Sequence, residues 1–240
     1  MCPDHRQHRG SHPADKELFA TEHVPALRRA TADLSWLLTN GYVVKSALKL
    51  VGDRFNLTER QRLAVARAAA SDEQCQYRRE HCLPFESIHN EEVLIDGFNL
   101  IITVEAALSG GLLIHCRDEC IRDLSSVHGS YRAVSETEAA IHLIGEILMA
   151  HSPRSVTWLL DQPISNSGRL AQRIRDIAHT RGWPWNVSVV MNPDNELRAS
   201  ERIVLTSDSF ILDGVARWVN FTRQLVDVHL RTAWIIDLSR

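Results

Sequence analysis

The sequence predicts a three-layer αβα fold with a mostly parallel sheet, preceded by a small all-helical domain. Three observations predict this class. The 240 residues are 44% hydrophobic and 24% charged, as in ordinary globular proteins. From about residue 91, short apolar segments alternate with amphipathic helical segments, which is the pattern of a parallel sheet covered on both faces. Residues 26–90 instead show helical periodicity with tight turns.

The expected organisation is a flexible tail over residues 1–25, a helical domain over 26–90 and a larger α/β domain over 91–240. The net charge of −3 is unevenly distributed. Residues 26–90 carry 10 basic and 7 acidic side chains, whereas residues 91–240 carry 14 basic and 19 acidic side chains. This asymmetry suits a partner-binding module next to a carboxylate-rich site, and an ordinary solvated surface explains it equally well.

Several protein classes are excluded by what the sequence lacks. No apolar run reaches the roughly 18 residues of a membrane span, and the N-terminus lacks an apolar signal segment, so a cytoplasmic protein without a membrane partner is expected. Five cysteines without a zinc-ribbon spacing predict ordinary thiols. Phosphate loops, dinucleotide-binding glycine motifs and serine-hydrolase elbows are absent, which excludes kinases, dehydrogenases and serine hydrolases.

Three helices are expected before the first strand. The first ends at Asn40-Gly41, and the second runs from about Val43 to Val51. Thr58 and Gln61 have the spacing of a capping box at the start of the third. Such a unit is either a helix-turn-helix or a packed helical cap, and we favour the cap.

Strands and helices alternate along the rest of the chain. The segments predicted as strands are 93–95, 112–116, 155–160, 187–190, 203–206 and 234–236. The segments predicted as helices are 99–108, 139–149, 163–182 and a last one from about 209 to 220. Ser135 and Glu138 have the spacing of a capping box before the second of these helices.

Three acidic residues, Asp96, Asp161 and Asp208, end predicted strands. Because the C-terminal ends of parallel strands meet at one edge of the sheet, their carboxylates are expected to converge there. Like charges so placed repel one another unless a cation neutralises them, and Mg²⁺ or Mn²⁺ prefers oxygen ligands. We therefore expect a catalytic metal site, although Asp is also common at strand ends as a turn or helix cap.

Four further acidic residues are candidates for the same cluster. Asp213 lies five residues after Asp208 and is either a catalytic acid or an exposed helical acid. Glu138 is either a metal ligand or the acid of the capping box. Asp118 and Asp123 follow the second predicted strand, and each is either a metal ligand or half of a structural Arg–Asp pair.

A second set of residues is suited to substrate contacts. The candidate substrate-binding residues are Asn99, Arg122, Asp123, His128, Arg132, Ser165, Ser167 and Arg169. Ser165 and Ser167 lie at a predicted helix start, where they either hold a phosphate in front of Arg169 or form an ordinary N-terminal cap. His128 and Arg132 are of types that contact phosphate or transfer protons.

Two short motifs resemble those of a nuclease family. The segment Ile95-Asp96-Gly97-Phe98-Asn99 resembles the opening strand of NYN nucleases, relatives of the PIN-domain ribonucleases. The segment Leu205-Thr206-Ser207-Asp208-Ser209 resembles their later Ser/Thr-Asp strand end. The resemblance implies a PIN/NYN-like domain in which Asp96 and Asp208 bind metal.

The same resemblance implies roles for other acids. Glu138 would be the helix acid of the metal site, with Asp213 assisting and Asp161 lining the cleft. This chain departs from the pattern by inserting a strand and a further segment before the helix of Glu138. That insertion leaves Asp118 or Asp123 as an alternative second ligand.

The chain from about residue 27 onward also resembles a prokaryotic family known as domain of unknown function 434. The segments that carry this resemblance are Asp33-Leu34 through Asn40-Gly41-Tyr42, Arg122-Asp123, His128–Arg132 and Asp161–Gly168. This second resemblance implies no activity.

The sequence thus predicts a metal-dependent ribonuclease, or related phosphodiesterase, that uses Mg²⁺ or Mn²⁺ and binds RNA; a homodimer is a further expectation. The helical domain is expected to help hold RNA through basic side chains. These are Arg60, Arg62, Arg67, Arg78 and Arg79. The alternatives are a non-catalytic nucleic-acid- or protein-binding module on a PIN-like scaffold, and a DNA-binding regulator that uses the N-terminal helices.

Overall fold

The computed structural model describes residues 8–125 and 129–240 and forms a mixed α/β fold. The helices before the first strand are α1 (Asp15–Leu18), α2 (Val24–Thr39), α3 (Val44–Arg54), α4 (Glu59–Ala68) and α5 (Asp72–Glu80), followed by a 3-10 turn at Phe85–Ile88. The predicted capping box of Thr58 and Gln61 is formed at the start of α4.

The elements after the 3-10 turn alternate between strands and helices. They are β1 (Glu92–Asp96), α6 (Gly97–Leu108), β2 (Leu113–His115), β3 (Ile121–Asp123), α7 (Thr137–Met149), β4 (Ser155–Asp161), α8 (Ser167–Arg181), β5 (Trp185–Val190), α9 (Pro193–Arg198), β6 (Ile203–Leu205), α10 (Ser209–Leu212), β7 (Trp218–Val219), α11 (Phe221–His229) and β8 (Ile235–Asp237).

The main sheet is parallel, as the sequence predicts. Within the described part of the chain it has five strands in the order β5-β4-β1-β6-β7. β1 therefore lies at the centre, between β4 and β6. Parallel strands present their C-terminal ends to one edge, so Asp96 and Asp161 end neighbouring strands there, and Asp208 follows β6 by three residues.

The main sheet is covered on both faces because its side chains alternate. Val93 and Ile95 of β1 point toward the core formed with α6, α7, α8 and α11. Leu94 points to the opposite face, where Leu197 of α9 and Ile211 of α10 cover it. The second layer is thin, because α9 and α10 are short.

A second, smaller sheet joins the helical region to the α/β region. Among the described residues it has three strands in the order β3-β2-β8. Leu112, Ile114 and Ile236 of this sheet share one hydrophobic core with α2, α3 and α4. The core of the N-terminal helices therefore crosses the domain boundary predicted at residue 90.

The prediction of a flexible tail over residues 1–25 is wrong for residues 9–19; the first seven residues lie outside the described residues. Arg9 is buried and its Nε donates to Glu105 at 3.0 Å. Asp15 is fully buried in α1 and accepts from Nε of Arg60 at 2.5 Å. Phe19 also belongs to the helical core. These contacts could not be predicted from the polar N-terminal sequence, because their partners lie far along the chain.

Two local predictions beside the site are also wrong. The helix expected from about residue 209 to 220 ends at Leu212, with Asp213 as its C-terminal cap residue. The chain then forms β7. The capping box expected at Ser135 and Glu138 is not formed. Instead, the hydroxyl of Thr137 donates to buried Glu105 at 2.5 Å.

No helix in the described ranges is long and apolar enough to cross a membrane.

Candidate functional site

Asp96 lies at the centre of the sheet edge and its carboxyl group is buried, with 6% of the residue exposed. The Thr206 hydroxyl donates to its Oδ2 at 2.8 Å. Burial raises the pKa of Asp96 to about 8, against the lowering effect of that hydrogen bond, and Asp208 and Asp194 raise it further. Gly97, directly after Asp96, packs closely against the backbone of β4. A larger residue would not fit there, because a Cβ would lie 2.8 Å from the Leu159 carbonyl oxygen.

Asp208 is linked to Asp96 through Thr206. The Thr206 hydroxyl accepts from the Asp208 backbone N–H at 2.9 Å while it donates to Asp96. The Oδ1 of Asp208 accepts from the Phe210 backbone N–H at 2.8 Å, so this side chain also caps α10. Asp208 is half-buried.

Asn99 holds the loop after β6 in place. Its Oδ1 accepts from both the backbone N–H and the hydroxyl of Ser207, each at 2.9 Å. Asn99 lies in the first turn of α6, three residues after Asp96. The predicted substrate-binding residue therefore positions the loop that carries Asp208.

Asp161 and Asp194 extend the group of acids. Asp161 ends β4 and is half-buried; burial raises its pKa to about 6, with a further increase from Asp194. Asp194 lies in the first turn of α9, which packs against β1 and β4. Burial also raises the pKa of Asp194, and Asp208 adds to this effect.

We call Asp96, Asp161, Asp194 and Asp208 the edge carboxylates. Within the described residues, none of them has an ion pair with Lys, Arg or His. Asp194 was not predicted from the sequence, because it lies on a helix and not at a strand end. The signal available was Asn192-Pro193-Asp194, a helix-start sequence directly after the predicted strand 187–190.

The edge carboxylates are not grouped as a metal site in the described part of the chain. Among residues 8–125 and 129–240, no three His, Cys, Asp or Glu side chains are spaced as a metal site. Their donor set nevertheless has the chemistry that Mg²⁺ and Mn²⁺ prefer, because every donor is a carboxylate oxygen.

Asp118 and Arg122, together with half-buried Asp213, belong to a separate buried cluster around Arg78. Arg78 Nη1 contacts Asp118 Oδ2 at 2.5 Å, and Arg78 Nη2 contacts Asp213 Oδ1 at 2.6 Å. Nη2 of Arg122 contacts Asp118 at 2.6 Å. Although burial alone would raise the pKa of Asp118, Arg122 and Arg78 lower it to about 2. These carboxylates are already neutralised, so the metal-ligand role of Asp118 and the catalytic role of Asp213 are not retained.

This buried cluster nevertheless supports the edge carboxylates. Nε of Arg122 donates to the Ser207 carbonyl oxygen at 2.7 Å, directly before Asp208. Arg122 thus positions the strand end that carries Asp208 and is too buried to bind substrate directly.

Two other predicted acids also lie apart from the edge carboxylates. Glu138 is exposed at the start of α7 and lines a groove with Arg169 and Arg173. Asp123 is buried, where it accepts from the Thr103 hydroxyl at 2.7 Å and from the Ser125 backbone N–H at 2.6 Å. Neither acid is placed to complete a metal site with Asp96, so both assignments are corrected.

The predicted phosphate-contacting residues divide into two groups. Ser167 is buried and its hydroxyl donates to the Asp161 carbonyl oxygen, so it positions the start of α8. Ser165 is exposed beside it and pairs with Ser130 through the backbone. Arg132 and Arg169 line a surface cavity. His128 lies outside the described residues.

The basic side chains predicted to hold RNA are mostly engaged in the protein. Arg60 pairs with Asp15, Arg62 with Asp53, and Arg67 donates to the backbone around Asp123. Arg78 is buried in the cluster described above. This correction removes most of the basis for an RNA-binding role of the N-terminal helices; Arg79 is exposed.

Comparison with known proteins identifies relatives. The family described as domain of unknown function (DUF5616) matches residues 85–224, and the family described as protein of unknown function (DUF434) matches residues 26–81. An uncharacterised protein of Methanocaldococcus jannaschii is 32% identical over 187 residues, which cover 78% of this chain and 89% of that protein. No solved structure matches. The DUF434 resemblance expected from residue 27 onward is thus confined to the N-terminal helices.

Proposed function

The chain belongs to the DUF5616 family, and from that premise we propose that it is a metal-dependent phosphodiesterase that cleaves RNA at the edge carboxylates. One observation carries the proposal. Asp96 is a buried carboxyl group with other acids around it and no basic partner among the described residues. Such an arrangement costs stability in a resting protein, and a bound cation would offset that cost.

The PIN/NYN resemblance supports phosphodiester cleavage as the reaction. Its first motif ends β1 at Asp96, and its second motif contains Asp208 after β6. Both motifs therefore lie at the C-terminal ends of neighbouring parallel strands, which supports the proposal. The αβα layering of the main sheet is compatible with it.

The edge carboxylates fit a divalent cation by donor type and need a local rearrangement to bind it. Asp96 is fixed by Thr206 and Asp208 by its cap of α10, so binding would require the half-buried side chain of Asp161 to move toward them. Bound Mg²⁺ or Mn²⁺ would supply activation of water and stabilisation of the leaving oxygen.

The protein's own groups contribute positioning and proton transfer. Asn99 and Arg122 fix the loop of Asp208, so this side chain keeps its place at the sheet edge. Asp161, with a pKa raised to about 6, is ionised at neutral pH and is still basic enough to accept a proton from attacking water.

A second candidate function is a non-catalytic RNA- or protein-binding module on the same scaffold. The observation that favours it is that no three His, Cys, Asp or Glu side chains among the described residues lie close enough together to hold a metal ion. For this module we expect RNA binding that is unchanged by EDTA and no Mn²⁺-dependent cleavage.

The experiment that tests the proposed function is cleavage of a labelled single-stranded RNA by the full chain in Mn²⁺. We expect cleavage in Mn²⁺, none in EDTA, and loss of cleavage in Asp208→Asn, because Asn retains the cap of α10 but removes the charge. The matched control is Glu138→Gln, which removes one carboxylate away from the site and should cleave normally. Wild-type and Asp208→Asn proteins with equal activity would contradict the proposal.

A further inference from the structure

A surface cavity of about 240 Å³ lies beside the start of α8 and is lined by Arg132, Arg169 and Arg173. Arg169 and Arg173 are four residues apart on α8, so their side chains lie on the same face of the helix. The buried residues Tyr131 and Leu170 line the cavity between the arginines. The side chains that line this cavity, within the described residues, include no acid. We call this feature the arginine cavity.

Two of these arginines have no partner within the described part of the chain. Within the described residues, Arg169 and Arg173 have neither an ion pair nor a hydrogen bond, unlike other arginines of α8. Arg175 donates to the Val187 carbonyl oxygen, and Arg181 pairs with Glu146. Two neighbouring cations without partners repel each other, which an anion in the cavity would relieve.

The acids nearest to these arginines lie outside the arginine cavity. Glu138 and Asp176 line an adjoining groove of about 410 Å³, which shares Arg169 and Arg173 with the arginine cavity. Neither acid is within ion-pair distance of an arginine of α8. The arginine cavity, which has no acidic lining residue, is therefore the better suited of the two to an anionic ligand.

The arginine cavity and the edge carboxylates occupy the same end of the sheet. The Ser167 hydroxyl donates to the carbonyl oxygen of Asp161, and Arg169 follows two residues later. The side-chain amide of Asn166 donates to the Tyr131 carbonyl oxygen at 2.8 Å and so fixes the cavity wall. Arg173 starts about 9 Å along the helix axis from Ser167. The start of the arginine cavity thus lies next to the end of β4, which carries Asp161.

We propose that the arginine cavity binds a phosphate group of the RNA strand, beside the phosphodiester that lies at the edge carboxylates; this inference rests on the proposed function. Arginine matches phosphate geometry through bidentate hydrogen bonds. The first turn of α8 contains no acidic residue, so the helix dipole adds to the positive potential. The arginines of the cavity attract the RNA backbone, whereas the nearby edge carboxylates repel it.

The test measures binding of a labelled single-stranded RNA to the full chain in EDTA, where metal-dependent cleavage is absent. Arg169→Ala/Arg173→Ala is compared with Arg154→Ala/Arg202→Ala, which removes the same charge at the opposite edge, where β4 and β6 begin. Affinity is measured by fluorescence anisotropy over a range of salt concentrations. Thermal melting checks that both double variants are folded, as expected for exposed side chains.

We expect the Arg169/Arg173 variant to bind RNA at least tenfold more weakly at about 50 mM salt. Its log–log salt slope should fall by about 0.7, since one lost phosphate contact on a single strand contributes about that much. The control variant should bind within twofold of the wild type. An equal loss in the control would overturn the proposal, because the effect would then be one of overall charge.

Two further results separate this inference from its alternatives. Inorganic phosphate binding that is lost in the variant while RNA binding is unchanged would overturn it in favour of a free-phosphate site. Selective loss of RNA binding in the variant, together with no cleavage by the wild type in Mn²⁺, would support the phosphate site and contradict only the nuclease function.

Discussion

Asp96→Asn should reduce Mn²⁺-dependent RNA cleavage by about 1,000-fold, because metal-assisted stabilisation of the transition state is worth several kcal/mol. The substitution is nearly isosteric, and Asn can still accept the hydrogen bond from the Thr206 hydroxyl. The loss of activity should therefore come without loss of folding. The measurement is the single-turnover cleavage rate of the variant against the wild type.

The same variant should change the pH dependence of stability in a defined direction. Asp96 has a pKa of about 8 in the folded protein and 3.8 as its ordinary value, so the folded state binds an extra proton between these pH values. The free energy of unfolding of the wild type should therefore fall relative to Asp96→Asn as pH rises from about 5 to 8, by up to about 1.4 kcal/mol per pH unit.

This relative loss of stability should stop above about pH 8, because Asp96 is then ionised in both states. Urea unfolding in EDTA at several pH values measures the difference between the two proteins. Glu138→Gln is the control, since Glu138 is exposed and should give a difference that hardly changes with pH. A constant difference for Asp96→Asn would mean that Asp96 is already ionised in the folded protein.

Arg78→Met should lower the free energy of unfolding by about 3–5 kcal/mol, because it removes one partner from a buried ionic cluster. Arg78 is only 2% exposed and contacts both Asp118 and Asp213. Methionine fills part of the volume but leaves Asp213 without its cation. Urea unfolding at neutral pH measures the effect.

Arg79→Met is the matched control for this prediction. Arg79 is adjacent in sequence and exposed, so its replacement should change stability by less than about 0.5 kcal/mol. Equal stabilities of Arg78→Met and Arg79→Met would show that the buried cluster does not hold α5 to the loop of Asp208.

The strand ends could be predicted from the sequence because the signals are local. Continuous apolar segments followed by Asp identified β1 and β4, and a parallel sheet necessarily brings their ends to one edge. The pairing of β2 with β8 could not be predicted, because those strands are more than one hundred residues apart and short. The small sheet was therefore missed as a separate sheet.

The role of each acid depended on partners that local sequence does not reveal. Asp118 and Asp213 are neutralised by Arg78, which lies 40 and 135 residues away in sequence. Asp96 and Asp208 lack such a partner among the described residues. An acid at a strand end and an acid in a structural ion pair look alike until the tertiary contacts are known. Asp194 was not predicted either, because only the packing of α9 against β1 and β4 brings it to the sheet edge.

The central claim, that the edge carboxylates bind a divalent cation, is tested most directly by calorimetric titration of Mn²⁺ into the full chain. The N-terminal segment must be kept, since Arg9 and Asp15 are buried in the fold. We expect saturable binding by the wild type and by Glu138→Gln, and none by Asp96→Asn/Asp208→Asn. Binding at pH 7 should also release a proton, because Asp96 is protonated in the metal-free protein. Identical titrations of the wild type and the double variant would contradict the claim.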